Sequence, residues 1–254
     1  MHTVLYFILF MLVLAVHETG HALLMARYGV RIKEICLVGF GPRLFGFKIP
    51  QLFGDTPVTI RLLPLGAYVQ TVRRIRVQPS PHMHILSGGI AMNLMFGGLL
   101  GVLAGIIGGS TSYLLYGAAA LCFCGGLILW VFVSWAGPLV FALGLLQLVL
   151  VGYMFYKGPI LEVFGGILTL VDDAAHVMSV SQTLLHVAIL SVSLAFINAM
   201  PLAPLDGGHI VGVLWKKYLP KHRELGWALK TVSIVAFSLI VILSFSSDIK
   251  HYLW

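Results

Sequence analysis

Five apolar runs, near residues 3–26, 85–108, 112–156, 184–205 and 227–246, dominate the chain. A helix needs about 20 such residues to cross the ~30 Å hydrocarbon core of a bilayer. Backbone polar groups in lipid must be satisfied within the segment, so runs of this kind are expected to be membrane helices. Composition agrees: of 254 residues, 59% are hydrophobic and 10% charged, well outside the range of soluble globular proteins. The apolar core of the first run continues into a polar cluster and meets no small-residue cleavage site, so it is expected to stay as a membrane helix.

The run at 112–156 is too long for one helix, and only Ser134 to Pro138, "SWAGP", interrupts it. Charge bias decides how it divides. Nine basic residues (Arg27, Arg31, Lys33, Arg43, Lys48, Arg61, Arg73, Arg74, Arg76) precede the second run, and Lys216, Lys217, Lys221 and Arg223 follow the fourth. Cytoplasmic loops collect Lys and Arg, and both basic loops share a side only if 112–156 is two spans. The expectation is an all-α polytopic membrane protein of about six transmembrane helices, a single membrane-embedded domain over 1–254 with both termini outside. The net charge of +7 is then explained by topology and anionic headgroups, which makes the lipid bilayer a partner and excludes nucleic acid.

Segment 157–183 falls outside in this arrangement, with Gly158, Pro159, Gly165 and Gly166 breaking helix and Asp172 and Asp173 in a solvated loop. Glycines 97, 98, 101 and 105 allow close helix approach. Cys36, Cys122 and Cys124 have no disulfide or zinc-ribbon spacing and are expected to pack. His82 and His84, beside Pro81, are expected in a solvated loop start.

Within the first run, residues 15–24 read "AVHETGHALL". Polar groups at membrane depth cost about 2.5 kcal/mol or more and face a protein interior or a wet cavity. His17-Glu18-Thr19-Gly20-His21 is H-E-x-x-H: on a helix both imidazoles lie on one face and can reach a single ion, with Glu18 beside the water it activates. A catalytic zinc needs a third protein ligand. Of the nine acidic residues, Asp206 alone sits at the end of an apolar span, in "NAMPLAPLDGGHI" at 198–210. Pro201 and Pro204 are expected to unwind the helix there, and Gly207 with Gly208 to turn the chain sharply, aiming Asp206 inward. His209 is left out, because a closed four-ligand site would be structural.

Together these residues resemble the site-2 protease family of intramembrane zinc metalloproteases, marked by H-E-x-x-H in the first core helix and N-x-x-P followed by L-D-G in a later one. Here the marks are His17 to His21, Asn198 to Pro201, and Leu205-Asp206-Gly207; "GFGPRLFGFK", "LPLGAYV", "SGGIAMN" and "KGPI" are lesser similarities. The resemblance implies one Zn2+ on His17, His21 and Asp206, Glu18 as general base, and Asn198 as a hydrogen-bond donor to the scissile backbone or developing oxyanion. It implies hydrolysis of a peptide bond in or beside the transmembrane helix of a membrane-protein substrate; the depth of His17 along the first helix puts the site toward the cytosolic side, and a short chain suits a bacterial inner membrane. The family's common PDZ domain is absent, two apolar spans standing in its place, so no PDZ rule for substrate choice carries over.

Two other readings compete. Membrane zinc proteases of the prenyl-protein or quality-control type take a Glu as third ligand, and Glu34, Glu162 and Glu224 are poorly placed for that. A metal transporter or non-catalytic scaffold has no need of Glu18. After the first helix, "RLFGFKI" and "VTIRL" alternate in period two around Gly54-Asp55, which predicts a membrane-associated β-hairpin over 43–65. An exposed edge on it would suit strand addition by an unwound substrate.

Overall fold

The computed structural model describes residues 2–64, 66–72, 77–132, 179–222, 224–235 and 237–239. Helix α1 (His2–Arg27) leads into four strands, β1 (Ile32–Val38), β2 (Phe40–Lys48), β3 (Pro57–Leu63) and β4 (Tyr68–Thr71), with a one-turn helix α2 (Pro50–Phe53) between β2 and β3. Helices α3 (Pro79–Gly108), α4 (Thr111–Phe132), α5 (Val180–Ala199) and α6 (Asp206–Tyr218) follow, and residues 224–235 are helical. Among the described residues, Phe7–Arg27, Pro79–Gly108 and Val180–Ala199 are long and apolar enough to cross a membrane. Helix α4 covers the start of the 112–156 run; the division of the rest into two spans, the 157–178 segment and the end of the 227–246 run lie outside the described residues.

The expected hairpin is present, as β2 and β3 pair antiparallel with Phe45 opposite Ile60 and Phe47 opposite Val58. The expectation of a hairpin alone is corrected, because these strands belong to a four-stranded sheet of order β2-β3-β1-β4. Strand β1 runs parallel to β3 and antiparallel to β4. Its "IKEICLV" hides the strand period because Glu34, Ile35 and Cys36 are buried in succession. A carboxylate on an inner face breaks the apolar pattern, and here it is accommodated by pairing. Arg61 Nη2 donates to both Glu34 oxygens at 2.8 Å, and Thr59 Oγ1 donates at 2.6 Å. Ile35 and Val58 pack on Ala22 of α1, so the sheet is fixed to the helix that carries the H-E-x-x-H sequence. Gly39, at φ +90°, turns the chain from β1 into β2, and a Cβ there would lie 2.3 Å from the Leu63 carbonyl oxygen.

The loop expected at His82 and His84 is also corrected. Helix α3 begins at Pro79, since prolines in a first helical turn lose no intrahelical donor. His84 Nδ1 meets the Tyr28 hydroxyl and its Nε2 the Ser80 hydroxyl. Cys36 and Cys124 are buried, as packing residues would be, whereas Cys122 is exposed.

Contacts divide the chain into two compact units. One comprises residues 8–93 and 196–237, the other 1–7, 94–195 and 238–254. In the second, glycines do what small residues do in membrane bundles. A Cβ on Gly97 would lie 2.8 Å from the Ala188 carbonyl oxygen, and one on Gly101 2.9 Å from Gly117 Cα. Ser181 Oγ donates to the Ala104 carbonyl at 2.9 Å. In the first, α1 and α3 touch through Gly20 and Gly88, where a Cβ on either would come within 2.2 to 2.6 Å of the other's carbonyl oxygen.

Candidate metal centre

All the candidate ligands belong to the unit of residues 8–93 and 196–237. Helix α1 carries His17 and His21 one turn apart, both buried. Helix α5 ends at Ala199, and residues 200–205 are not helical before α6 starts at Asp206. The unwinding expected from Pro201 and Pro204 is therefore present, but Gly207 and Gly208 lie inside the first turn of α6 and make no sharp turn. Their missing side chains serve packing: a Cβ on Gly207 would stand 2.3 Å from the Ala199 carbonyl oxygen, and one on Gly208 2.4 Å from the Leu202 carbonyl carbon. The unwound segment folds back onto α6, and Asp206 is held where the two meet.

Three ligand atoms converge. His17 Nε2 lies 3.0 Å from Asp206 Oδ2 and 3.2 Å from His21 Nε2, and His21 Nε2 lies 3.2 Å from the same carboxylate oxygen. Atoms around a tetrahedral zinc, at bond lengths near 2.0–2.1 Å, stand about 3.3 Å apart. This face of nitrogen, nitrogen and oxygen therefore has the size and donor chemistry for one zinc ion. Among the described residues it is the one group of three His, Cys, Asp or Glu side chains able to hold a metal. His209 is exposed and outside that group.

Glu18 is half-buried beside the two histidines, and the backbone N–H of Val69 on β4 is near enough to its carboxylate to stabilise the charge. The sheet edge facing the motif is thus β4. Asn198 is half-buried in the last turn of α5. Sequence reasoning passed over a third contributor, one face of α3. The Ile85 carbonyl lies 2.7 Å from His21 Nδ1, the Asn93 amide nitrogen lies 3.2 Å from His17 Nδ1, and a Cβ on Gly89 would fall 2.5–2.6 Å from the Nε2 atoms. One signal was available: a fully buried amide in an apolar helix invites the same question as the histidines.

Comparison with known proteins bears on this arrangement. A model described as peptidase family M50 matches residues 5–243. The zinc metalloprotease RasP of Bacillus licheniformis is 37% identical over 97 residues, 38% of this chain and 21% of that protein. The regulator of sigma-W protease RasP of Bacillus subtilis is 38% identical over 80 residues, 32% of this chain and 17% of that protein. The zinc metalloprotease RasP of Geobacillus kaustophilus is 48% identical over 54 residues, 21% of this chain and 12% of that protein. The matched stretches thus span about a fifth or less of these relatives' lengths.

Proposed function

The chain belongs to peptidase family M50, and from that premise we propose that it is an intramembrane zinc metalloendopeptidase of the site-2 protease type, cutting a peptide bond in or beside a substrate's transmembrane segment. The observation that carries the reading is the convergence at 3.0–3.2 Å of two Nε2 atoms from α1, a helix apolar enough to span a bilayer, and one carboxylate oxygen of Asp206 at the start of α6. The family match and the printed names of the bacterial relatives support it.

In this reading His17 and His21, through Nε2, and Asp206, through Oδ2, hold one Zn2+. Bound zinc supplies Lewis acidity, which makes water a nucleophile at neutral pH and polarises a carbonyl. Glu18 takes the proton of the attacking water and returns it to the amide nitrogen that leaves, with the Val69 N–H close by its carboxylate. Asn198 donates to the scissile backbone or the developing oxyanion. A helical substrate hides its carbonyls, so it must be extended before attack and its freed backbone groups must find partners. The sequence pointed to the β2–β3 hairpin for this. The position of Val69 beside Glu18 favours β4 instead, an outer strand of the sheet among the described residues, on the motif's side. Charge bias supports a site toward the cytosolic side, and the bacterial relatives support a bacterial inner membrane.

The test is metal content together with cleavage of a single-span peptide by purified protein. Wild type is expected to carry one zinc and cut. Glu18→Gln is expected to keep zinc and lose turnover, because an amide cannot accept the water's proton, and Asp206→Ala to lose both. Full zinc retention by the Asp206 variant would refute the ligand set, and cleavage by Glu18→Gln would refute the general base.

A further inference from the structure

We propose that Asn93 is a positioning residue of the metal centre, holding His17 in the one neutral tautomer that can bind zinc through Nε2. The inference rests on the zinc reading above. Residues 85, 89 and 93 are spaced by four, so they lie along one face of α3, and each meets the histidines differently. The Ile85 carbonyl is 2.7 Å from His21 Nδ1, an acceptor that can only take the proton of an Nδ1–H. This settles the tautomer of His21 and leaves its Nε2 lone pair for the ion. Gly89 leaves open the volume next to both Nε2 atoms, where a methyl group would sit 2.5–2.6 Å away.

Among the described residues, the partner of His17 in the corresponding place is a side chain. The histidine's Nδ1 lies 3.2 Å from Nδ2 of the Asn93 side-chain amide, in a site where Asn93 is fully buried and His17 nearly so. A neutral imidazole carries one N–H and one lone pair. If Nε2 is given to zinc, Nδ1 carries the hydrogen and needs an acceptor. The amide supplies one when its oxygen faces the ring, an orientation related to the opposite one by a half-turn about the terminal side-chain bond. Without that acceptor the ring gains by moving its proton to Nε2, where Asp206 Oδ2 at 3.0 Å would receive it, and the ligand is lost. An amide differs from the carboxylate often found behind zinc-binding histidines in adding no charge. Two neutral imidazoles and one carboxylate then leave the loaded site with one net positive charge.

The experiment is a zinc competition against a chromophoric chelator, using the full chain in detergent, with helical content followed by circular dichroism. Asn93→Leu, similar in size but without an acceptor, is expected to bind zinc 10- to 100-fold more weakly at unchanged helical content. Asn93→Asp, whose carboxylate accepts from Nδ1–H, is expected to bind at least as tightly as wild type and to shift the visible d–d bands of the Co2+-substituted protein. Wild-type affinity in the Leu variant would overturn the proposal. So would a tenfold or greater loss in the folded Asp variant, since packing alone would then explain Asn93, and this arm decides if the Leu variant does not fold. A wild-type protein that binds no zinc would instead sink the zinc reading itself, and this inference with it.

Discussion

At the scale of single residues, the pairing of Glu34 with Arg61 has the clearest consequence for stability. Burial pushes the Glu34 carboxyl up, but hydrogen bonds from Thr59 and Arg61, with the charge of Arg61, outweigh burial and hold it below its ordinary value. A carboxylate depressed in the folded state contributes stability that is present above its unfolded pKa and lost as pH falls through the folded one. The sheet is therefore expected to weaken as pH drops below the ordinary carboxylate range, with a flatter profile in Glu34→Gln. Arg61→Ala is expected to lower stability at neutral pH, because the Glu34 carboxylate loses its charged donor. Thermal unfolding in detergent across pH, read from the strand signal, checks both, and identical pH profiles for wild type and Glu34→Gln would refute the assignment. The site was legible at this scale where charge is scarce. With nine acidic residues in the chain, a glutamate between two histidines and an aspartate after two prolines stand out. Asn93 and Gly89 fall inside "SGGIAMN", but neither is charged and each acts only through a histidine on α1, so the string gave them no role of their own.

At the scale of elements, the helices were legible from apolar length, and α1 and α5 fall close to where the runs place them. Helix α3 starts six residues before its run, because prolines that read as a loop are compatible with a helical first turn. The β2–β3 hairpin was legible from its alternation, whereas β1 was masked by its inward carboxylate and β4 by having only four residues. That last strand now matters for substrate binding. Val72 N–H donates to the Arg31 carbonyl, so by alternation the N–H groups of Thr71 and Val69 point away from β1. Thr71→Pro removes an outward donor and leaves the ladder to β1 intact. Strand addition at β4 predicts a raised KM in this variant with zinc content unchanged, while Phe45→Pro or Phe47→Pro on β2 leaves cleavage near wild type. Loss of cleavage on β2 with full activity in Thr71→Pro would move the substrate to the hairpin edge.

At the scale of the whole molecule, the proposed topology is tested by single cysteines in a cysteine-free background. Exposed positions Lys33 and Lys217 are expected to react with an impermeant thiol reagent from the cytosolic side and exposed Ser179 from the other. Labelling of positions 33 and 217 from opposite sides would show that 112–156 is not two spans. The contact of Gly20 with Gly88 bears on whether this metal site is portable. Gly20 is the second of the two unspecified letters in H-E-x-x-H, and backbone touches backbone there. Any larger residue would wedge α1 away from α3, separating His17 from Asn93 and His21 from the Ile85 carbonyl with every ligand still in place. A designer who grafts the five letters onto another membrane helix transfers the histidines without their support, unless the neighbouring helix brings its own glycine to the crossing and an acceptor one turn further along.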